Sequence, residues 1–196
     1  MVCISYNMSV TYKNIGPGTG FHNWITKNTE KSTHLIEFGA GFFTNLKYVP
    51  LPKEKKIGIE IYKPYIDNAK YNDCIMIEGD VHNYRTLVDN SLFDTCMYCD
   101  VLEHFDKEDA IKLINMNKLD FNKILLMVPE DEHPQHEDVT GYEGHIYQTH
   151  RSTWFIEDIK NLGFQNIVYD RTFTQPQKGD GIITGGCIFA IWNKPN

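Results

Sequence analysis

The stretch H-L-I-E-F-G-A-G, residues 34–41, sets a short apolar run, broken by Glu37, against two glycines one residue apart, Gly39 and Gly41. An apolar run of strand length followed by such glycines is how a nucleotide-binding strand–turn–helix unit begins. The glycines let the backbone turn tightly and approach a ligand closely. Outward from this unit, apolar runs of strand length recur at residues 56–61, 74–77, 93–99 and 123–128. Helical candidates lie between and beyond them at residues 44–48, 64–71, 84–89 and 107–118. Pro64 suits a first helical turn, where its missing N–H costs nothing. Strands alternating with helices predict a parallel sheet covered on both faces, an α/β fold of the Rossmann-like three-layer α/β/α kind.

The pattern changes after Val128. Residues 129–150 are rich in His, Glu, Asp, Pro and Gly and show no apolar period. A connection of that length inside a compact domain is usually functional, so it is read as an acceptor-side loop. A helix over residues 152–162 follows, stopped by Gly163, then strands at 164–169 and 186–192 with a loop or hairpin over 171–185 between them. Residues 1–32 are polar and aromatic, with a glycine-rich turn at 16–20. They read as an irregular or helical N-terminal cap on one domain covering residues 33–196. The turn is no P-loop, because no G-K-[ST] follows it.

Composition narrows the function classes. Nineteen basic against twenty-six acidic residues leave a formal charge of −7. This argues against nucleic acid, whose phosphates call for a basic face. No segment approaches the roughly 18 apolar residues of a membrane span, and the first ten residues lack the pattern of a signal peptide. The five cysteines, an odd number set in candidate strands, point to free thiols in a reducing, cytoplasmic compartment. Cys96 and Cys99 form a C-x-x-C, but residues three apart on a strand face opposite ways, so both are read as core.

The residues around the glycines separate the possible nucleotides. A dinucleotide fingerprint needs a third glycine where this chain has Thr44. A ligand without phosphate needs less anion-binding backbone, and S-adenosylmethionine is such a ligand. Glu60 closes K-I-G-I-E, roughly twenty residues past the glycines, where a carboxylate accepts ribose hydroxyls. Asp80, in I-E-G-D-V, is placed to accept an adenine amine while the Val81 N–H donates to a ring nitrogen.

With E-F-G-A-G (37–41), I-G-I-E (57–60), E-G-D-V (78–81) and F-D-T-C-M-Y-C-D-V-L-E-H-F (93–105), the chain resembles the class I S-adenosylmethionine-dependent methyltransferases. The resemblance implies a seven-stranded, mostly parallel sheet with an antiparallel last strand. It implies a cofactor site of Glu37, Phe38, Gly39, Ala40, Gly41, Glu60, Ile61, Asp80, Val81 and Asp100. Glu37 and the loop from Phe38 to Gly41 would meet the methionine portion, and Asp100 the methyl group. The product would be S-adenosylhomocysteine. Phe43 stands where the family carries another glycine and would crowd the methionine end or pack on the helix. The [DN]-P-P-[YF] motif of adenine-methylating enzymes is missing.

P-x-x-x-x-P-Q, G-Y-E-G and H-R-S-T-W within residues 129–154 resemble bacterial and phage-type methyltransferases, several associated with glycan or nucleotide-sugar modification. That resemblance implies a small hydroxylated acceptor, met by a monomer or homodimer, with His145, His150 and Trp154 near it. An alcohol acceptor needs a base, and histidine titrates near neutral pH. His104, His145 and His150 are the candidate catalytic residues, with His133 and His136 in the same loop. H-P-Q-H-E-D with His145 and His150 offers metal-ligand types, but H-x-x-H alone is no zinc signature, and no metal is assigned.

Overall fold

The computed structural model describes residues 10–16, 18–130, 146–171 and 186–195. In chain order these form β1 (Val10–Tyr12), α1 (Thr19–Thr29), β2 (Leu35–Phe38), β3 (Lys56–Glu60), α2 (Lys63–Asp67), β4 (Ile75–Glu78), α3 (Tyr84–Leu87), β5 (Thr95–Cys99), α4 (Lys107–Asp120), β6 (Lys123–Pro129), α5 (Ile156–Asn161), β7 (Gln165–Asp170) and β8 (Cys187–Asn193). One sheet holds all the strands in the order β1-β7-β8-β6-β5-β2-β3-β4. β8 runs antiparallel to both its neighbours, β6 and β7, and the other pairs are parallel.

The expected architecture is therefore present with one correction: the sheet has eight strands among the described residues, not seven. The additional strand, β1, falls in the segment read as irregular or helical. Three residues are too short to show a period, and what makes V-T-Y a strand is its long-range pairing with β7. Asp170, buried at the end of β7, anchors the turn after β1. Its Oδ2 accepts the N–H groups of Ile15 and Gly16, both at 2.6 Å.

Period-two alternation sends apolar side chains to both faces of the central strands, as a doubly covered sheet requires. Ile124, Leu126 and Val128 of β6 join the core under α4 and α5, while Leu125 and Met127 join the core under α1. Cys96 and Cys99 separate in the same way, one into each core. Both are buried free thiols, with burial pushing their titration well above the ordinary thiol range. The C-x-x-C has no joint chemistry.

Most helices are shorter than their sequence signals, although α4, Lys107–Asp120, runs two residues past the expected 107–118. The expected helix over 44–48 is a 3₁₀ turn, Asn45–Tyr48. α5 begins at Ile156 rather than residue 152: residues 151–155 run without helical structure, and the N–H groups of Arg151 and Ser152 are bonded to the Glu103 carbonyl in the turn after β5. Pro64 does occupy the first turn of α2, and Gly163, at φ 72°, does end α5. No helix among the described residues is long and apolar enough to cross a membrane.

Candidate functional site

The order of the sheet reverses between β2 and β5, and ligands of open α/β sheets bind beyond the carboxyl ends of the strands at such a point. The glycine loop leaves β2 there. Gly39 has φ 65°, and a Cβ on it would lie 2.7 and 2.8 Å from the two methyl carbons of Val101. Gly41, at φ 53°, has open space on its Cβ side. One glycine thus serves packing and the other leaves room for a ligand.

Phe43 also adopts a left-handed backbone, at φ 60°, although it is not a glycine. Its ring is fully buried on the sheet face below the loop, against Gly58. A Cβ on Gly58 would come within 2.4 Å of that ring. Neither expected outcome is what is seen: the ring packs on the sheet, against Gly58 of β3, rather than on a helix, and it does not line the cavity over the strand ends.

Glu60 is buried at the tip of β3, and both its oxygens hold backbone. Oε2 accepts the Gly41 N–H and Oε1 the Tyr62 N–H, each at 2.8 Å. Burial raises its titration, and the backbone donors work against that rise. Asp80 Oδ1 accepts the His82 N–H at 2.9 Å and meets His82 Nδ1 at 2.8 Å, capping the 3₁₀ turn Val81–Asn83.

Glu37 lies under the loop with no exposure. Its Oε1 accepts from Asn45 Nδ2 at 2.9 Å. Burial pushes it up to about 8 from an ordinary 4.5, with Asn45 opposing the rise and the Glu60 carboxylate adding to it. The folded protein therefore holds this proton more tightly than the unfolded chain. The stabilising contribution is complete below about 4.5 and is lost as pH rises through about 8. Glu37→Gln removes that loss. Urea midpoints of variant and parent are expected to diverge in favour of the variant as pH rises from 5 to 8.5, and parallel profiles would show that Glu37 does not titrate in this window.

A cavity of about 580 Å³ opens over these strand ends, within the range of small-molecule sites. Gly39, Ala40, Gly41, Glu60 and Ile61 line it, as do Asp80, Val81, Asp100 and His104. Glu37 and Phe38 do not reach its wall, and the Phe38 ring sits in the core against Tyr84 and Tyr98. His145 lies outside the described residues, with His133 and His136. Sequence reasoning missed Phe42, Asn45, Tyr147 and Arg151, which also line the cavity.

Beyond β5, Asp100 takes a left-handed backbone at φ 61°, and the 3₁₀ turn Leu102–His104 follows. Glu103 is buried with a side-chain exposure of 1%. Burial first, and then the adjoining Asp100 carboxylate, hold it well above the usual carboxylate range. The Glu103 carbonyl accepts the N–H groups of Arg151 (2.7 Å) and Ser152 (3.1 Å), so the segment H-R-S-T-W is laced to the end of β5. This brings His150 beside His104, with ring centroids 5.0 Å apart. Trp154 goes elsewhere. It is fully buried in the core under α4 and α5, which corrects its expected place near the acceptor.

No protein-family model and no curated protein sequence matches the chain. Its backbone is similar to solved structures. The N-terminal domain of EvdMO1, crystallised in the presence of S-adenosylhomocysteine and D-fucose, superposes with a TM-score of 0.58 at 14% identity, covering 89% of this chain and 82% of that one. A methyltransferase from Archaeoglobus fulgidus described as S-adenosylmethionine-dependent gives 0.55 at 14% identity, covering 87% and 94%. The Haemonchus contortus phosphoethanolamine N-methyltransferase 2, in complex with phosphomonomethylethanolamine and S-adenosylhomocysteine, gives 0.61 at 13% identity, covering 92% and 54%. The fold is that of S-adenosylmethionine-dependent methyltransferases.

Proposed function

We propose that this protein is an S-adenosylmethionine-dependent methyltransferase acting on a small hydroxylated acceptor, a sugar or nucleotide-sugar, with histidine assistance at the end of β5. The observation that carries the reading is the convergence of the glycine loop, Glu60, Asp80 and Asp100 on one cavity. Its walls present carboxylates, a poor match to a dinucleotide pyrophosphate and a good one to hydroxyls and amines. In this reading the loop from Gly39 to Gly41 meets the methionine portion. Glu60 accepts the ribose hydroxyls with lone pairs that its two backbone donors leave over. Asp80 and Val81 meet the adenine edge, and Ile61, 37% exposed, offers the ring an apolar face. The EvdMO1 domain crystallised in the presence of D-fucose supports the sugar class by analogy of fold.

The chemistry is an in-line displacement. The acceptor oxygen forms a bond to the methyl carbon, the carbon–sulfur bond breaks, its electron pair returns to sulfur, and the acceptor proton is released to solvent. The sulfonium is already activated, so the protein's main tasks are alignment and exclusion of water. His104 lines the cavity beside Asp100 and supplies the nitrogen lone pair through which the hydroxyl is activated.

Titration calorimetry with S-adenosylhomocysteine, followed by radiolabelled methyl transfer into pools of monosaccharides and nucleotide-sugars, tests the reading. Saturable binding and labelled product are expected. Binding of NADH without binding of S-adenosylhomocysteine would overturn it. Glu60→Ala is expected to weaken S-adenosylhomocysteine binding by about 1–3 kcal/mol, the scale of a lost charged hydrogen-bond pair. Calorimetry on the variant, with thermal melting to confirm folding, checks this, and an unchanged affinity removes Glu60 from the ribose.

A further inference from the structure

We infer that Glu103, His104 and His150 form a binding site for one divalent transition-metal cation at the acceptor end of the cavity. One ligand atom from each of the three lies within 4.8 Å of the other two. The loop sequence H-P-Q-H-E-D, which first suggested ligands, is not needed. The set lies instead where the end of β5 meets the laced segment after residue 148.

Three observations carry the assignment. The first is the state of Glu103. Both its oxygens are buried, and neither accepts a well-formed hydrogen bond. A buried carboxyl in that condition either keeps a proton, beside the Asp100 carboxylate, or ionises against a positive group such as a metal ion.

The second is the tautomer of His104. Its Nδ1 lies 3.3 Å from the Thr149 carbonyl oxygen. A carbonyl only accepts, so Nδ1 carries the proton and Nε2 carries a lone pair. That Nε2 is 4.0 Å from Glu103 Oε1. Once Glu103 is ionised, two acceptors face each other at that distance, too far apart for a hydrogen bond. Ligands each about 2.1 Å from one ion stand about 3 to 3.4 Å apart in octahedral or tetrahedral geometry, so these two atoms would close by about 0.6 to 1 Å on binding. A carbonyl that fixes the far nitrogen of a histidine is also the usual support of a metal-bound imidazole.

The third is rigidity. His150 is distant in sequence from Glu103, yet the bonds from the N–H groups of Arg151 and Ser152 to the Glu103 carbonyl fix the two together. A site with a defined spacing needs such support. Two imidazoles and one carboxylate suit zinc, manganese, cobalt or iron rather than calcium. His104 lines the cavity, so an ion here has open positions toward the acceptor. There it would hold the acceptor hydroxyl and lower its pKa. That role rests on the methyltransferase reading, whereas the cation site does not.

The test uses the full chain, stripped with chelator and dialysed against Co²⁺, Mn²⁺ or Zn²⁺ in turn. One equivalent per chain is expected, with visible cobalt absorption bands of a mixed imidazole–carboxylate site. His150→Ala and Glu103→Gln should each weaken cobalt affinity at least about tenfold, while S-adenosylhomocysteine binding by His150→Ala stays intact and reports its folding. His150→Gln serves if the alanine variant does not fold. Binding well below one equivalent in the parent protein, or equal affinity in folded variants, would overturn the site. In the parent protein, S-adenosylhomocysteine binding without cobalt binding sinks the cation site alone. Cobalt binding with no affinity for S-adenosylhomocysteine sinks the methyltransferase reading alone.

Discussion

His104→Ala should lower turnover roughly 100-fold or more while leaving S-adenosylhomocysteine affinity within about twofold. The asymmetry follows from where the residue stands. Its ring lines the cavity at the β5 end, near Asp100, whereas the residues assigned to ribose and adenine come from β3 and the turn after β4. Its Nδ1 is committed to the Thr149 carbonyl, so only Nε2 faces chemistry. Alanine deletes that lone pair and leaves the glycine loop, Glu60 and Asp80 untouched. An interaction made only as the acceptor oxygen is activated appears in turnover and not in cofactor binding. Turnover measured with saturating cofactor, beside calorimetry on the same preparation, gives both numbers. Unaltered turnover would remove His104 from the mechanism, and a matching loss in cofactor affinity would reassign it to cofactor binding.

Trp154→Ala should cost about 3–5 kcal/mol of folding stability, a large share of the 5–15 kcal/mol typical of a whole domain. Trp154 is the largest fully buried side chain, at 0% exposure. Its Nε1–H donates to Ser152 Oγ at 3.0 Å, and that hydroxyl donates to the Leu102 carbonyl at 3.2 Å. The Lys107 ammonium lies 5.3 Å above the ring and also donates to the Thr153 carbonyl at 2.9 Å. One aromatic therefore fills the core and, through Ser152, ties down the strap that carries His150. Trp154→Phe keeps most of the volume and loses the donor, so its cost should be nearer the 1–3 kcal/mol of an orphaned buried partner. Urea denaturation of both variants orders the two effects. Equal midpoints for Trp154→Ala and the parent would show that this ring does not carry the strap.

The glycine loop and the apolar runs were legible because each depends on residues close together in the chain, whereas the antiparallel last strand came from the family resemblance. An apolar run between turn signals makes a strand wherever both its faces are covered, and glycines are needed where the backbone turns left-handed or meets a neighbour closely. Glu60 and Asp80 could be placed for the same reason, since Glu60 ends β3 and Asp80 lies in the turn just after β4. Phe43 was harder. Its left-handed turn is bought by burial of its ring against Gly58, and neither residue announces the other.

Along the chain, then, local chemistry was enough to specify the alternating α/β plan, the glycine loop and the acids at or just past the strand tips. Four things depended on distant segments meeting in space. They are the edge strand β1 beside β7, the burial of Trp154, the left-handed fit of Phe43, and the meeting of Glu103, His104 and His150. Local propensity describes what a segment can form by itself, whereas these depend on backbone pairing and packing between remote parts of the chain. The most consequential is the lacing of residues 151 and 152 to the Glu103 carbonyl. It brings His150 beside His104 and the buried Glu103, which are already adjacent in the chain.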